Sequence, residues 1–278
     1  MTALATIGML GGFAAGANAT PFEFDLDGGG DNPVTADALS GDTLGFADIL
    51  VDLGADNTLS TGDTFTETLT IGINFAEFEG ANVVNYTGGG LNTAFLVEID
   101  LAGDINFISA GGDGTAASLA NPGAIADDVF DINFTSGTAT FFYDPDQDGD
   151  STTGGTDFAE LDLRSGGADN FAFNNPLATA DIGTTFEFDS VDPGHFAKTD
   201  FLTNDFFDLL MNMQMIVALA DNSVNLEELD VTADGLLALS VSDNGTTVRI
   251  NVPSPATLGL LGFGLIGAGI AARRRRKL

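Results

Sequence analysis

The sequence predicts a mainly all-β chain. It reads as a single antiparallel β-sandwich or jelly-roll-like domain with one short helix, flanked by an N-terminal signal helix and a C-terminal transmembrane helix. Three observations predict this. Apolar and polar residues alternate with period two in many short runs. Gly- and Asp-rich clusters separate those runs. Only one segment carries helical spacing.

The clearest run is Thr64 to Ala76, whose odd positions are Phe65, Glu67, Leu69, Ile71, Ile73 and Phe75, with mostly Thr, Gly, Asn and Ala between them. Similar runs follow at Thr93–Ile99, Asp104–Ile108, Val129–Phe134, Thr138–Tyr143, Phe158–Leu163 and Thr184–Phe188. The last pair is Leu236–Ser242 and Thr246–Val252, and Asp243-Asn244-Gly245 between them predicts a hairpin, since Asn and Gly accept positive φ. The helical segment is Asn204 to Ala220. Phe206, Leu209, Leu210, Met213, Ile216, Val217 and Ala220 fall three or four apart, although Met213–Val217 also suits a buried strand. Phe22-Glu23-Phe24-Asp25 recurs as Phe186-Glu187-Phe188-Asp189, but no fixed period supports a solenoid. Nothing marks a second domain, so residues 20–251 are expected to fold as one.

Composition excludes several function classes. The chain has 278 residues, no Cys, one His and a formal net charge of −33. Without Cys there is no disulfide framework, no thiol nucleophile and no Cys-ligated zinc. No nucleic-acid partner is expected, because a phosphate backbone needs Lys and Arg to neutralise it. The charges are also segregated. All 41 acids lie between Glu23 and Asp243 beside only Arg164, Lys198 and Arg249, a net −38, whereas Arg273, Arg274, Arg275, Arg276 and Lys277 close the chain. Such separation points to two compartments.

The two ends explain that separation. Residues 1–19 carry no charge and finish in Ala17-Asn18-Ala19, a small-residue cleavage site, so they read as a secretory signal peptide removed before Thr20. Residues 257–272 are 16 uncharged, mostly apolar positions. As a helix they reach about 24 Å, slightly less than a hydrocarbon core of about 30 Å, and flanking Arg side chains can snorkel across the difference. The basic tail 273–277 stays cytoplasmic by the positive-inside rule, which leaves the acidic body outside. Pro253 and Pro255 cannot extend a helix or a ladder and hold Val252 and Ser254 extended, a geometry that suits a protease.

A Pro-containing motif, a short apolar span and an Arg cluster at the chain end resemble the PEP-CTERM sorting signal of Gram-negative bacteria. The motif is Val252-Pro253-Ser254-Pro255, with Ser where the usual motif has Glu. The resemblance implies recognition by an exosortase, a membrane-embedded cysteine protease, during an inner-membrane intermediate. It implies removal of helix and tail, then delivery to the cell surface or extracellular matrix. It also implies a link to biofilm, exopolysaccharide and flocculation.

Candidate chemistry in the body is sparse. Asp144, Asp146, Asp148 and Asp150 stand at alternate positions with Gly149 among them, like the first half of an EF-hand loop. Position 12 is Gly155 rather than Glu, so Asp157 or Glu160 would have to reach back. A solvated acidic turn is the alternative to calcium here. Asp25, Asp27 and Asp31 form a second candidate. His195 follows Asp192-Pro193-Gly194, but no G-x-S-x-G elbow accompanies it, and packing is the expected role. Two functions follow. One is a non-catalytic surface or matrix protein whose acidic face meets anionic exopolysaccharide through calcium. The other is a secreted carbohydrate-active enzyme using a carboxylate pair, which the absence of Trp disfavours.

Overall fold

The computed structural model describes residues 21–30, 33–41, 43–89, 92–112, 114–147, 155–173, 182–192, 194–198, 214–219, 224–243 and 246–251. The signal helix, the transmembrane helix, the sorting motif and the basic tail lie outside the described residues. Within them, no helix is long and apolar enough to cross a membrane. The helical pieces described are two 3-10 turns, Gly54–Asp56 and Pro122–Ala126.

The strands are β1 (Phe22–Phe24), β2 (Val34–Ala36), β3 (Ala38–Gly41), β4 (Thr43–Asp52), β5 (Thr64–Gly72), β6 (Phe75–Phe78), β7 (Ala81–Asn85), β8 (Thr87–Gly89), β9 (Asn92–Thr93), β10 (Phe95–Ser109), β11 (Val129–Tyr143), β12 (Thr156–Phe171), β13 (Ile182–Val191), β14 (Phe196–Lys198), β15 (Gln214–Leu219), β16 (Val224–Val231), β17 (Leu237–Asp243) and β18 (Thr246–Asn251). The described pairings are antiparallel throughout, as the alternation predicts. Several predicted runs prove to be halves of one strand. Thr93–Ile99 and Asp104–Ile108 fuse into β10, and Val129–Phe134 and Thr138–Tyr143 fuse into β11.

Thirteen strands share one sheet in the order β16-β17-β4-β5-β10-β11-β12-β13-β15-β18-β3-β6-β7. Its two ends are joined through the chain. β3 leads into β4 and β5 into β6 after one or two residues, and the two lines stay paired throughout, from Ala38↔Glu77 to Asp52↔Thr64. β17 and β18 likewise both run antiparallel to the β3–β4 line, from Leu237↔Val51 to Asn251↔Ala38. β15 and β16 flank β18 and β17 in turn. The result is eight successive strand lines, each beside the next, with the last beside the first. Among the described strands it is a sandwich-like closed wrap connected as a meander.

Two local expectations are corrected. The helical spacing of Asn204–Ala220 fails over Gln214–Leu219. These residues are β15, hydrogen-bonded on both sides between β13 and β18. Ile216 and Val217 are β-branched and suit a central strand, and Met215 is fully buried there. Residues 204–213 lie outside the described residues. The hairpin expected at Asp243-Asn244-Gly245 does not form either, because β17 and β18 continue in one direction along β3–β4. Their register merely slips by one residue between Ser242↔Phe46 and Val248↔Gly41. The reversal comes earlier, at Thr232–Leu236, where the Leu236 N–H donates to the Thr232 hydroxyl at 3.0 Å and Gly235 takes φ +80°. Asp234-Gly235 supplies the turn chemistry the sequence offered twice.

The core is built largely from Phe. β1, β2 and β14 form a small separate sheet. From it Phe24 lies 5.4 Å from the Phe95 ring, 4.9 Å from Phe196 and 6.2 Å from Phe158. Phe22, Phe24, Phe95, Phe141, Phe186 and Phe196 are almost wholly buried. The small sheet thus covers the interior where β10, β11, β12 and β13 bring these rings together. Each such ring contributes about 3–5 kcal/mol by the usual cost of Phe→Ala.

Candidate functional site

The sorting motif Val252–Pro255, the basic residues Arg273–Lys277 and the signal-cleavage residues Ala17 and Ala19 lie outside the described residues. Their attachment points do not. β18 ends at Asn251, immediately before the motif. Ile250 on it is fully buried, and the strand is central, held by β15 and β3. At the other end Phe22 and Phe24 enter the core just after Thr20. The segments on either side of the described body are therefore joined to it by short links in sequence.

The acidic loop between β11 and β12 is described only at its start. Asp144 is fully buried, and its carboxylate accepts the Gln147 N–H at 3.0 Å. Gln147 sits at φ +56°. Asp146 is exposed, and Asp148 and Asp150 lie outside the described residues. Among the described residues no group of three or more His, Asp or Glu side chains gathers at metal-binding distance.

The pairing of β1 with β14 makes a cluster the sequence did not announce. His195 stands 170 positions from Asp25. The Asp25 N–H donates to the His195 carbonyl at 2.9 Å, and His195 Nδ1 donates back to the Asp25 carbonyl at 3.0 Å. A carbonyl oxygen only accepts, so Nδ1 is the donor in this contact. The ring is stacked on Phe158 at 4.3 Å and 14°. Its Nε2 lies where a Cβ on Gly28 would sit 2.7 Å away, and Gly28 has φ +66°, so a side chain is excluded twice over. The Gly29 N–H, then the Asp25 side chain, and more weakly the charge of His195, hold the Asp27 carboxyl below its usual range against desolvation. Asp31 lies outside the described residues. Tyr86 packs edge-on against Phe24 at 6.2 Å, and burial, then the Asp25 charge, pushes its phenol above its ordinary value. His195 is thus a packing residue of the small sheet, its ring held by the Asp25 carbonyl while its own backbone N–H donates to the Asp192 carbonyl at 3.1 Å. The sequence signal for this was the Phe-Glu-Phe-Asp segment, whose two buried Phe positions mark β1 as a core strand.

Other buried carboxylates tie loops down. Asp128 accepts the Gly111 and Ala117 N–H groups at 3.0 and 2.7 Å, closing the long β10–β11 connection. Asp63 accepts the Ser60 N–H at 2.7 Å, while burial raises its pKa.

The outer face of the sheet carries one ordered row. Glu228, Ser240, Asp48, Thr68, Asp100, Thr138, Asp162 and Glu187 are successive cross-strand neighbours from β16 to β13. Carboxylates alternate with hydroxyls along most of this row, and Thr68 donates to Asp100 at 2.7 Å. Alternation keeps like charges from standing directly opposite, which is destabilising, except at Asp162 and Glu187. With strands about 4.8 Å apart, the carboxylates recur about every 10 Å.

Residues 251–276 match the PEP-CTERM protein-sorting motif. The chain therefore carries a signal consistent with an exported, membrane-processed exosortase substrate. No curated protein and no solved structure matches the chain.

Proposed function

We propose that this chain, bearing a PEP-CTERM signal, displays its β domain as a non-catalytic component of a Gram-negative cell surface or extracellular matrix. There it associates with exopolysaccharide in biofilm or floc formation. The single observation that carries the reading is the sorting match at residues 251–276, directly after a folded body of net charge −38.

The mechanism is electrostatic. A body of that charge repels anionic polymer unless cations intervene. The row through Asp48, Asp100 and Asp162 offers regularly spaced carboxylates, each beside a hydroxyl. Calcium is a hard cation that takes such oxygen ligands, and sites with Kd of about 10⁻⁴–10⁻³ M suit extracellular modules. Asp144, Asp146, Asp148 and Asp150 are the residues proposed to hold one ion, with Asp144 already oriented by the Gln147 turn.

Capture of the organism's own exopolysaccharide by the exported protein, with calcium and with a chelator, tests this reading. Calcium-dependent retention is expected. Retention unaffected by the chelator removes the bridging step, and no retention in either condition removes the polysaccharide partner. Cleavage of the polymer would instead favour the enzyme reading.

A further inference from the structure

Glu67 breaks the pattern of its own strand. On β5, Phe65, Leu69 and Ile71 are buried and Thr66 and Thr68 are exposed, so Glu67 shares the inner face. Across the sheet, Leu229, Leu239, Ile49, Glu67 and Leu101 form one continuous row of neighbours on β16, β17, β4, β5 and β10. The other four are aliphatic and belong to or pack against the core. Glu67 has no hydrogen bond or ion pair among the described residues. The inward-facing residues of the flanking strands carry no other charge among the described residues.

An unpaired carboxylate on an inner face is costly, and any aliphatic residue would remove the penalty. Burial along the inner face is uneven. Leu39, Ile71, Leu161, Phe186, Met215 and Ile250 have no measurable exposure, whereas Ile49, Glu67 and Leu229 are only half-buried although they face inward. Leu239 and Leu101 of the same row are buried, so the partly exposed stretch is local to Ile49, Glu67 and Leu229. A closed wrap of about eight strands is wide enough either to be filled by side chains or to hold one small ligand. Ligand sites of this kind are mostly apolar with a single placed polar group.

We propose that the inner row Leu229–Leu239–Ile49–Glu67–Leu101 is the wall of a small-molecule site. It takes an apolar chain ending in a protonated amine, with Glu67 as counter-ion. The aliphatic neighbours receive the chain, and the carboxylate receives the ammonium as a charge-assisted hydrogen bond. Burial pushes the Glu67 carboxyl up to about 7, and a bound ammonium reverses that shift by favouring the ionised form.

The test is isothermal titration of the exported, processed protein with dodecylammonium, dodecanol and dodecanoate at about pH 8, where the carboxyl is mostly ionised. Dodecylammonium is expected to saturate one site and to bind at least about tenfold more tightly than dodecanol, with dodecanoate weakest. Glu67→Gln is expected to lose that preference while still binding dodecanol, since the apolar wall is unchanged. The variant Asp104→Asn, on the outer face of β10, is expected to bind as the parent does. The proposal is overturned if no ligand saturates, if Glu67→Gln keeps the amine preference, or if the outer-face variant abolishes it.

Discussion

Ile250, three residues before Pro253, lies directly opposite Leu39 across the sheet, and both side chains are fully buried. The strand that closes the sheet is thus also the one that leads into the sorting motif. Processing and folding are coupled at this point. A cut after Pro255 leaves β18 whole, whereas a cut before Thr246 removes a central strand.

Truncation should therefore show a sharp boundary. Chains ending at Pro255 are expected to unfold cooperatively at the same temperature as the uncut body. Chains ending at Asp243 lose every pairing of β18 and expose Leu39 and Met215, and they are expected to show no cooperative transition. A folded chain ending at Asp243 would show that β18 is dispensable.

Glu67 supplies a pH dependence with a definite sign. Its folded pKa, about 7, lies above the ordinary carboxylate value of 4.5, so the native state binds the proton more tightly. The stabilising contribution is complete below about pH 4.5 and is lost as pH rises through about 7. The ceiling is about 3 kcal/mol, reduced because the side chain is only half-buried. Urea midpoints across this range should fall less steeply for Glu67→Gln than for the parent, and the variant should be the more stable at about pH 8. Parallel curves would show that Glu67 is well solvated.

Calcium should act beyond ionic strength. A specific site stabilises by about 2.7 kcal/mol at a hundredfold excess over Kd, or about 5–10 °C for a domain of this size. Calcium chloride is expected to raise the Tm more than sodium chloride of equal ionic strength. Replacing Asp146 and Asp148 together by Asn should remove most of the difference. Equal effects of the two salts on the parent would reduce the loop to a solvated acidic turn.

The corrected hairpin carries its own prediction. Gly235 holds φ +80° at the true turn. Gly235→Ala should cost about 1 kcal/mol or more, because Ala does not adopt that conformation freely. Gly183→Ala should cost less, since a Cβ there meets nothing within 4 Å and its φ is not in the left-handed region. Chemical denaturation of both variants checks the order.

What was legible in the sequence follows from which signals are local. The period of Thr64–Ala76 exposed β5, and the Gly and Asp clusters marked most strand ends, because alternation and turn chemistry act within a few residues. The sorting tail and the charge segregation were legible for the same reason. Asn244-Gly245 misled because two turn signals lay ten residues apart and only tertiary pairing chose between them. Met215–Leu219 misled because its spacing suits both periods, and strands on both sides decided the outcome. The His195–Asp25 contact was invisible, since it exists only when β14 pairs with β1. Glu67 was visible as one carboxylate among apolar odd positions, yet its lack of a partner needed the register of β4 and β10.

The central claim is that this body is delivered by removable signals at both ends. Intact-mass measurement of the protein recovered from the cell surface tests it most directly. The expected species begins near Thr20 and ends near Pro255, without Arg273–Lys277. A surface species that retains the basic tail would contradict the account and make the C-terminal segment a permanent anchor.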